Sequence, residues 1–112
     1  MPSPRFQNYL RANRKRLGLS QEDVAFLLGL PTGQKVSRHE QFVHIPTLAA
    51  VFAYEVIYKR AASELFSDLY QKVEKEIAKR AKALGKRPLT AKPTLRHARR
   101  HNILADLAGA ND

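Results

Sequence analysis

The segment LSQEDVAFLLGLPTGQKVSRHE, from Leu19 to Glu40, constrains this chain more than any other stretch. Ser20 is a natural N-cap, and Asp23 stands at the third helical position, a variant of the capping box. Glu22 and Asp23 put negative charge at the positive end of the helix dipole. Val24, Leu27 and Leu28 then form an i, i+3, i+4 apolar stripe. Ala25 is small enough for a close helix crossing, and Gly29 ends the helix. A second helix is expected from Gly33 to Glu40 with Thr32 as its cap. It is polar, and Val36 is its one strongly apolar anchor. Two short helices with so little chain between them, one apolar on a face and one nearly all polar, leave the second helix to meet something other than the core.

The rest of the chain reads as helix as well, which makes the fold all-α. Ser3-Pro4 opens a first helix, with Ser3 as cap and Pro4 at the first helical position. Phe6, Leu10 and Leu17 share a face with Arg14 between them. Arg11, Lys15 and Arg16 are expected to face water, and Gly18 is the stop. Phe42, Val43 and Ile45 lie in the loop behind the polar helix. Pro46-Thr47 starts a fourth helix, TLAAVFAYEVIYK, whose Leu48, Val51, Phe52, Val56 and Ile57 are expected to complete the core.

Residues 61–84 read as a long helix with a break near Ser67. Leu65, Phe66, Leu69, Tyr70, Val73, Ile77, Ala81 and Leu84 form a stripe near heptad spacing, opposite a face of Lys and Glu. Glu76 and Arg80 stand four apart, with the acid N-terminal. The upstream part of the stripe is expected to pack on the core. Beyond Val73 nothing in its own domain covers it, so Leu69, Tyr70, Val73, Ile77 and Leu84 are expected to pair with a second copy. From Gly85, GKRPLTAKPT reads as a linker. LRHARRHNILADLAGA then has helical spacing through Leu95, Ile103 and Leu107, with Thr94 as cap. It suits a docking helix or a basic tail that orders on a polyanion. The expected division is a domain over 1–66, a dimerisation helix over 67–84, and a basic linker with a short amphipathic helix over 85–112.

Charge narrows the partner. The 112 residues hold 20 Lys plus Arg against 10 Asp plus Glu, a net +10. Such a balance attracts polyanions and speeds encounter with them. The absence of cysteine excludes disulfides and thiolate chemistry and suits a reducing cytoplasm. No run reaches the roughly 18 apolar residues of a membrane span, and the N-terminus has no apolar signal core. His97 and His101 share a helix face, but without a third ligand they are expected to be solvent-facing polar groups. No nucleophile–base set, phosphate-binding glycine loop or metal cluster stands out. No cofactor and no enzymatic activity are expected.

With the two helices placed, the chain resembles the Cro/lambda-repressor type of helix-turn-helix protein, the XRE family. Arg14, followed by Gly18-Leu19-Ser20-Gln21-Glu22-Asp23-Val24-Ala25, is similar to the family's first-helix exit and second-helix start. Val36-Ser37-Arg38 with Glu40 is similar to its recognition helix, and Pro46 to the proline that opens its fourth. The resemblance covers about residues 5–66 and implies a five-helix lambda-repressor-like domain, here followed by a long C-terminal helix and a basic tail. The segment GLPTGQKV is one residue longer than the family pattern. Phe42 stands where the family has glycine, so the loop after the third helix is expected to take its own path. His39 stands where the family has an apolar core residue, which implies partial burial. The matching Arg14 and Glu40 imply an ion pair bracing the first helix against the end of the third.

The major groove, about 12 Å wide, admits one helix. The second helix of such a pair enters it with its N-terminal side chains on base edges. Gln34, Lys35, Ser37 and Arg38 are the candidates for base contact, Gln toward adenine and Arg or Lys toward guanine. The competing reading is that they are merely solvated. Thr32 and Gly33, at the helix entrance, are candidates for phosphate or a thymine methyl. Gln21 sits where helix N–H groups favour a phosphate; Arg5, Arg11, Lys15 and Arg16 are further phosphate candidates. The expected function is a sequence-specific double-stranded-DNA-binding regulator, by default a repressor, acting as a homodimer on an inverted repeat in the cytoplasm. The alternative is an antitoxin-type protein that binds a toxin through its tail and regulates its own promoter. A third reading is RNA or non-specific DNA binding driven by charge alone.

Overall fold

A computed structural model describes residues 7–87 and 94–109. Within them the chain forms seven α-helices and no strand: α1 (Leu10–Arg16), α2 (Gln21–Leu28), α3 (Gln34–Glu40), α4 (Leu48–Tyr58), α5 (Ala62–Leu65), α6 (Ser67–Gly85) and α7 (Leu95–Gly109). They fall into two compact units, residues 1–70 and 71–112.

The first unit is assembled from short helices whose ends are written locally. At α2, Ser20 Oγ accepts from the Asp23 amide at 3.0 Å and Asp23 Oδ2 accepts from the Ser20 amide at 2.9 Å, so the capping box is complete. Hydrogen bonding from the Ser20 amide, and next from its hydroxyl, favours the charged carboxylate and holds its pKa below the ordinary value. Gly18 and Gly29 follow α1 and α2 with φ of 72° and 76°, the left-handed conformation in which a residue without Cβ reverses the chain.

The first helix starts later than Ser3-Pro4 would place it. Those two residues and Phe6 lie outside the described residues, and residues 7–9 are not helical. Asn8 supplies the start instead: its Oδ1 accepts from the Leu10 amide at 3.1 Å, and its Nδ2 donates to the His39 carbonyl at 2.9 Å. The α1 N-terminus is thereby tied to α3. Arg16, expected to face water, donates from Nη2 to the Tyr58 carbonyl at 2.9 Å and closes an open carbonyl at the end of α4.

Leu10, Val24, Ala25, Val36, Tyr54, Tyr58, Leu65 and Phe66 form the core, with Leu28, Val51 and Ile57 packed against it. Each large apolar side chain removed from water here contributes roughly 1.5–3 kcal/mol. Leu27, expected inside, is 56% exposed. The fourth helix is also rotated from the expected face: Leu48, Phe52 and Val56 are 69%, 55% and 76% exposed, while Tyr54 and Tyr58 are fully buried. Glu55 is the one charged residue of α4, so apolar periodicity cannot choose its inward side. Polar contacts choose it. The Tyr54 hydroxyl reaches His39 Nδ1 at 2.8 Å, and Glu55 Oε1 accepts from the Ala62 amide at 2.6 Å.

Phe42 follows α3 in the turn after Gln41. Its φ is 57°, the left-handed conformation that glycine would adopt without a Cβ penalty. Its ring meets that of Phe66 with centroids 5.9 Å apart. Packing holds a backbone conformation that the side chain disfavours.

The chain breaks at Phe66, with φ −122° and ψ 45°, between α5 and α6, so the long helix begins at Ser67. Leu65 and Phe66 are core residues of the first unit. In the second unit Ala78 and Ala81 are buried, while Val73, Ile77 and Leu84 are half-exposed, like Tyr70 just before it. Glu76 lies between Lys72 and Arg80, 3.8 Å from each. At α7, Thr94 Oγ1 accepts from the His97 amide at 3.4 Å and His97 Nδ1 accepts from the Thr94 amide at 3.1 Å. His97 is therefore a capping partner. No described helix is long and apolar enough to cross a membrane.

Candidate nucleic-acid interface

The outward face of α3 is set from behind. Val36 and His39 are buried on its inner side. Gln34, Lys35 and Arg38 are exposed, and Ser37 is partly so. Four helical residues thus offer one amide group, a hydroxyl and two cations on one side of a helix whose other side is fixed. Such groups match the donor and acceptor pattern of base edges.

The helix begins one residue later than expected. Gly33 takes the N-cap position and Gln34 is the first helical residue, with Thr32 Oγ1 accepting from the Gln34 amide at 3.3 Å. Thr32 remains exposed beside that entrance. Gly33 does not. It is buried, and its amide donates to Glu22 Oε1 at 2.8 Å. A Cβ there would meet Glu22 Oε1 at 2.8 Å and Gln21 Cβ at 3.0 Å. The phosphate or methyl contact expected of Gly33 is replaced by a packing role. It lets the start of α3 approach α2, and Glu22 satisfies an amide that the helix itself cannot.

Arg14 and Glu40 brace the other end. Arg14 Nε donates to Glu40 Oε2 at 2.6 Å and Nη2 to Oε1 at 3.2 Å, while Nη1 donates to the Leu19 carbonyl at 3.0 Å. The two side chains are only 11% and 4% exposed. The Glu40 hydrogen bond stabilises the charged guanidinium and raises its pKa further. Gln21 joins the pair, donating from Nε2 to Glu40 Oε1 at 3.1 Å. One amide hydrogen of Gln21 is used in this way; the second is left for another acceptor.

These residues border a cleft of about 540 Å3 that brings Arg11, Gln21 and Ser37 together from α1, α2 and α3. Lys15 is exposed on α1 but does not line it. Gln41 does, and its Nε2 donates to Ser37 Oγ at 3.4 Å. Gln41 was not anticipated, because it follows the last helical residue and belongs to no motif; its one signal was its position four residues after Ser37. Arg5 lies outside the described residues. Among the described residues no group of three or more His, Asp or Glu could hold a metal ion.

The chain matches no protein-family model, no curated protein and no solved structure.

Proposed function

We propose that the chain is a sequence-specific double-stranded-DNA-binding regulator, built on a five-helix lambda-repressor-like domain and acting in the cytoplasm as a repressor. The observation that carries this reading is the mounting of α3. It is held from behind by Val36, His39 and the Arg14–Glu40 pair, and it turns Gln34, Lys35 and Arg38 outward. A short helix with an immobilised back and a polar, cationic front suits the major groove. Arg11, the second amide hydrogen of Gln21, Thr32 and Lys15 then supply phosphate contacts that set register, while α3 chooses sequence. The half-exposed stripe of Tyr70, Val73, Ile77 and Leu84 supports pairing with a second copy, which would present two α3 helices to an inverted repeat. A dimer seated on an operator blocks polymerase without any further part.

Substitution separates base contact from solvated polarity. Gln34→Ala and Arg38→Ala are each expected to relax base preference by about 1–3 kcal/mol at one position of the site. Arg11→Ala is expected to weaken all duplexes alike and to lower the salt slope by about one. Fluorescence anisotropy on matched and single-mismatch duplexes reads both. Equal loss on every duplex for Arg38→Ala would contradict the proposed register of α3.

One observation favours the antitoxin-type reading. On α7 no residue is buried, and Leu95 and Ile103 are 67% and 51% exposed. On that reading, co-purification of a small toxic protein is lost with Leu95→Asp and Ile103→Asp together, while duplex binding is kept.

A further inference from the structure

Behind the recognition helix lies a hollow that DNA binding leaves unused. It is a cavity of about 410 Å3 between α3, the turn before it and α4. That size falls inside the range of small-molecule sites. Its apolar lining includes Leu30 and, one turn apart on α4, Ala53 and the exposed rim residue Ala49, whose small side chains leave the space open. Its basic groups are Lys35, His39 and His44, and no acidic residue lines it.

His39 is the unusual member. It is 5% exposed. Tyr54 occupies its Nδ1, and Nε2 has no hydrogen-bond partner among the described residues. The ring stands in the pocket wall beside two further basic side chains. Burial first, then the positive charges of Lys35 and His44, push the pKa of the ring down. Its neighbours therefore lack an anion.

We propose that this pocket binds a small apolar carboxylate, of the medium-chain or aromatic acid class. The apolar body lies against Leu30, Ala49 and Ala53. The carboxylate meets the Lys35 ammonium and accepts from His39 Nε2 and His44. A neutral apolar molecule would fill the hollow but leave three basic groups unmatched. An inorganic anion would satisfy them but leave the apolar lining wet, and a protein helix is too wide for the space. Occupancy also draws Lys35 away from the outward face of α3, so it is expected to weaken duplex binding. That consequence rests on the DNA reading; binding of the acid does not.

The test is titration of the full, isotopically labelled chain with sodium octanoate and, separately, octanamide, followed by amide NMR. Octanoate is expected to shift the Lys35, His39 and Ala53 signals saturably, with Kd on the order of 1 mM or tighter. The uncharged octanamide is expected to bind at least about tenfold more weakly, for want of charge-assisted hydrogen bonds. Ala53→Leu fills the hollow and is expected to abolish the shifts. Ala49→Leu, at an exposed rim position, does the same without touching the packed side of α4. No saturable shift at these signals, equal binding of the amide, or unaltered binding by a folded Ala49→Leu chain would each overturn the pocket. Duplex affinity at saturating octanoate, expected to fall severalfold, tests the coupling separately. An unchanged value there would overturn the coupling and leave the DNA reading intact.

Discussion

Tyr54 and Tyr58 lie stacked in the core with ring centroids 5.7 Å apart, yet their hydroxyls differ. Tyr54 is bonded to His39, whereas the buried Tyr58 hydroxyl has no partner among the described residues. Burial holds both phenols protonated, with pKa values far above the ordinary 10.0. An unmatched buried hydroxyl costs its desolvation, so Tyr58→Phe is expected to raise stability by about 1 kcal/mol. Tyr54→Phe strands His39 Nδ1 and is expected to lower it by about 1–2 kcal/mol. Urea unfolding of both variants checks the contrast; equal and opposite signs to these would contradict the assigned roles. His39 adds a pH dependence. Desolvation first, with repulsion from Lys35 and His44, lowers its folded-state pKa below the ordinary 6.5; the Tyr54 hydroxyl and no carboxylate faces it from α4. The unfolded chain then binds more protons than the fold between these two pKa values. The stabilisation is whole above about pH 6.5 and is lost progressively as pH falls from there through the lowered folded-state pKa. The urea midpoint is expected to be lower at about pH 5.5 than at pH 7.5, and His39→Gln to shrink the difference.

At the scale of elements, helix ends carry their own instructions while helix faces do not. Ser20 with Asp23, Thr47, Gly18 and Gly29 act within one turn of themselves, so α2 and the start of α4 were readable from the residues alone. The Thr94 cap was readable as well, but its partner was not, since an imidazole at the third helical position is not the usual Glu or Gln. The side of α4 that faces inward was illegible. A helix apolar on nearly every side takes its orientation from Tyr54 meeting His39 and Glu55 meeting Ala62, both of which are tertiary events. The start of α1 was illegible for the same reason: Asn8 accepts from the Leu10 amide while reaching across to α3. In the candidate interface the exposed side chains of α3 followed from one buried anchor, Val36. Gly33 did not, because its burial depends on Glu22 arriving from α2. The end of α4 offers a direct test of local backbone energetics. Lys59 closes it with φ 54°, so Lys59→Gly is expected to raise the melting stability by about 1 kcal/mol, and no gain would mean the side chain makes a compensating contact.

For the whole molecule, a charge of +10 sets affinity for polyanions without choosing among them. On the proposed reading, choice comes from α3 and symmetry from a second copy. The stripe of Val73, Ile77 and Leu84 leads to the expectation that light scattering at tens of micromolar gives the mass of two chains, with Val73→Glu and Ile77→Glu together giving one. A monomer in the unsubstituted chain would sink pairing through this stripe. The central claim is sequence-specific recognition by α3, and selection of binding sites from a random duplex library at about 150 mM salt tests it most directly. The account predicts enrichment of a palindromic motif whose half-sites are centred about one helical turn apart, roughly 34 Å; a pool that stays unenriched while still being bound would contradict it and leave charge alone as the source of binding.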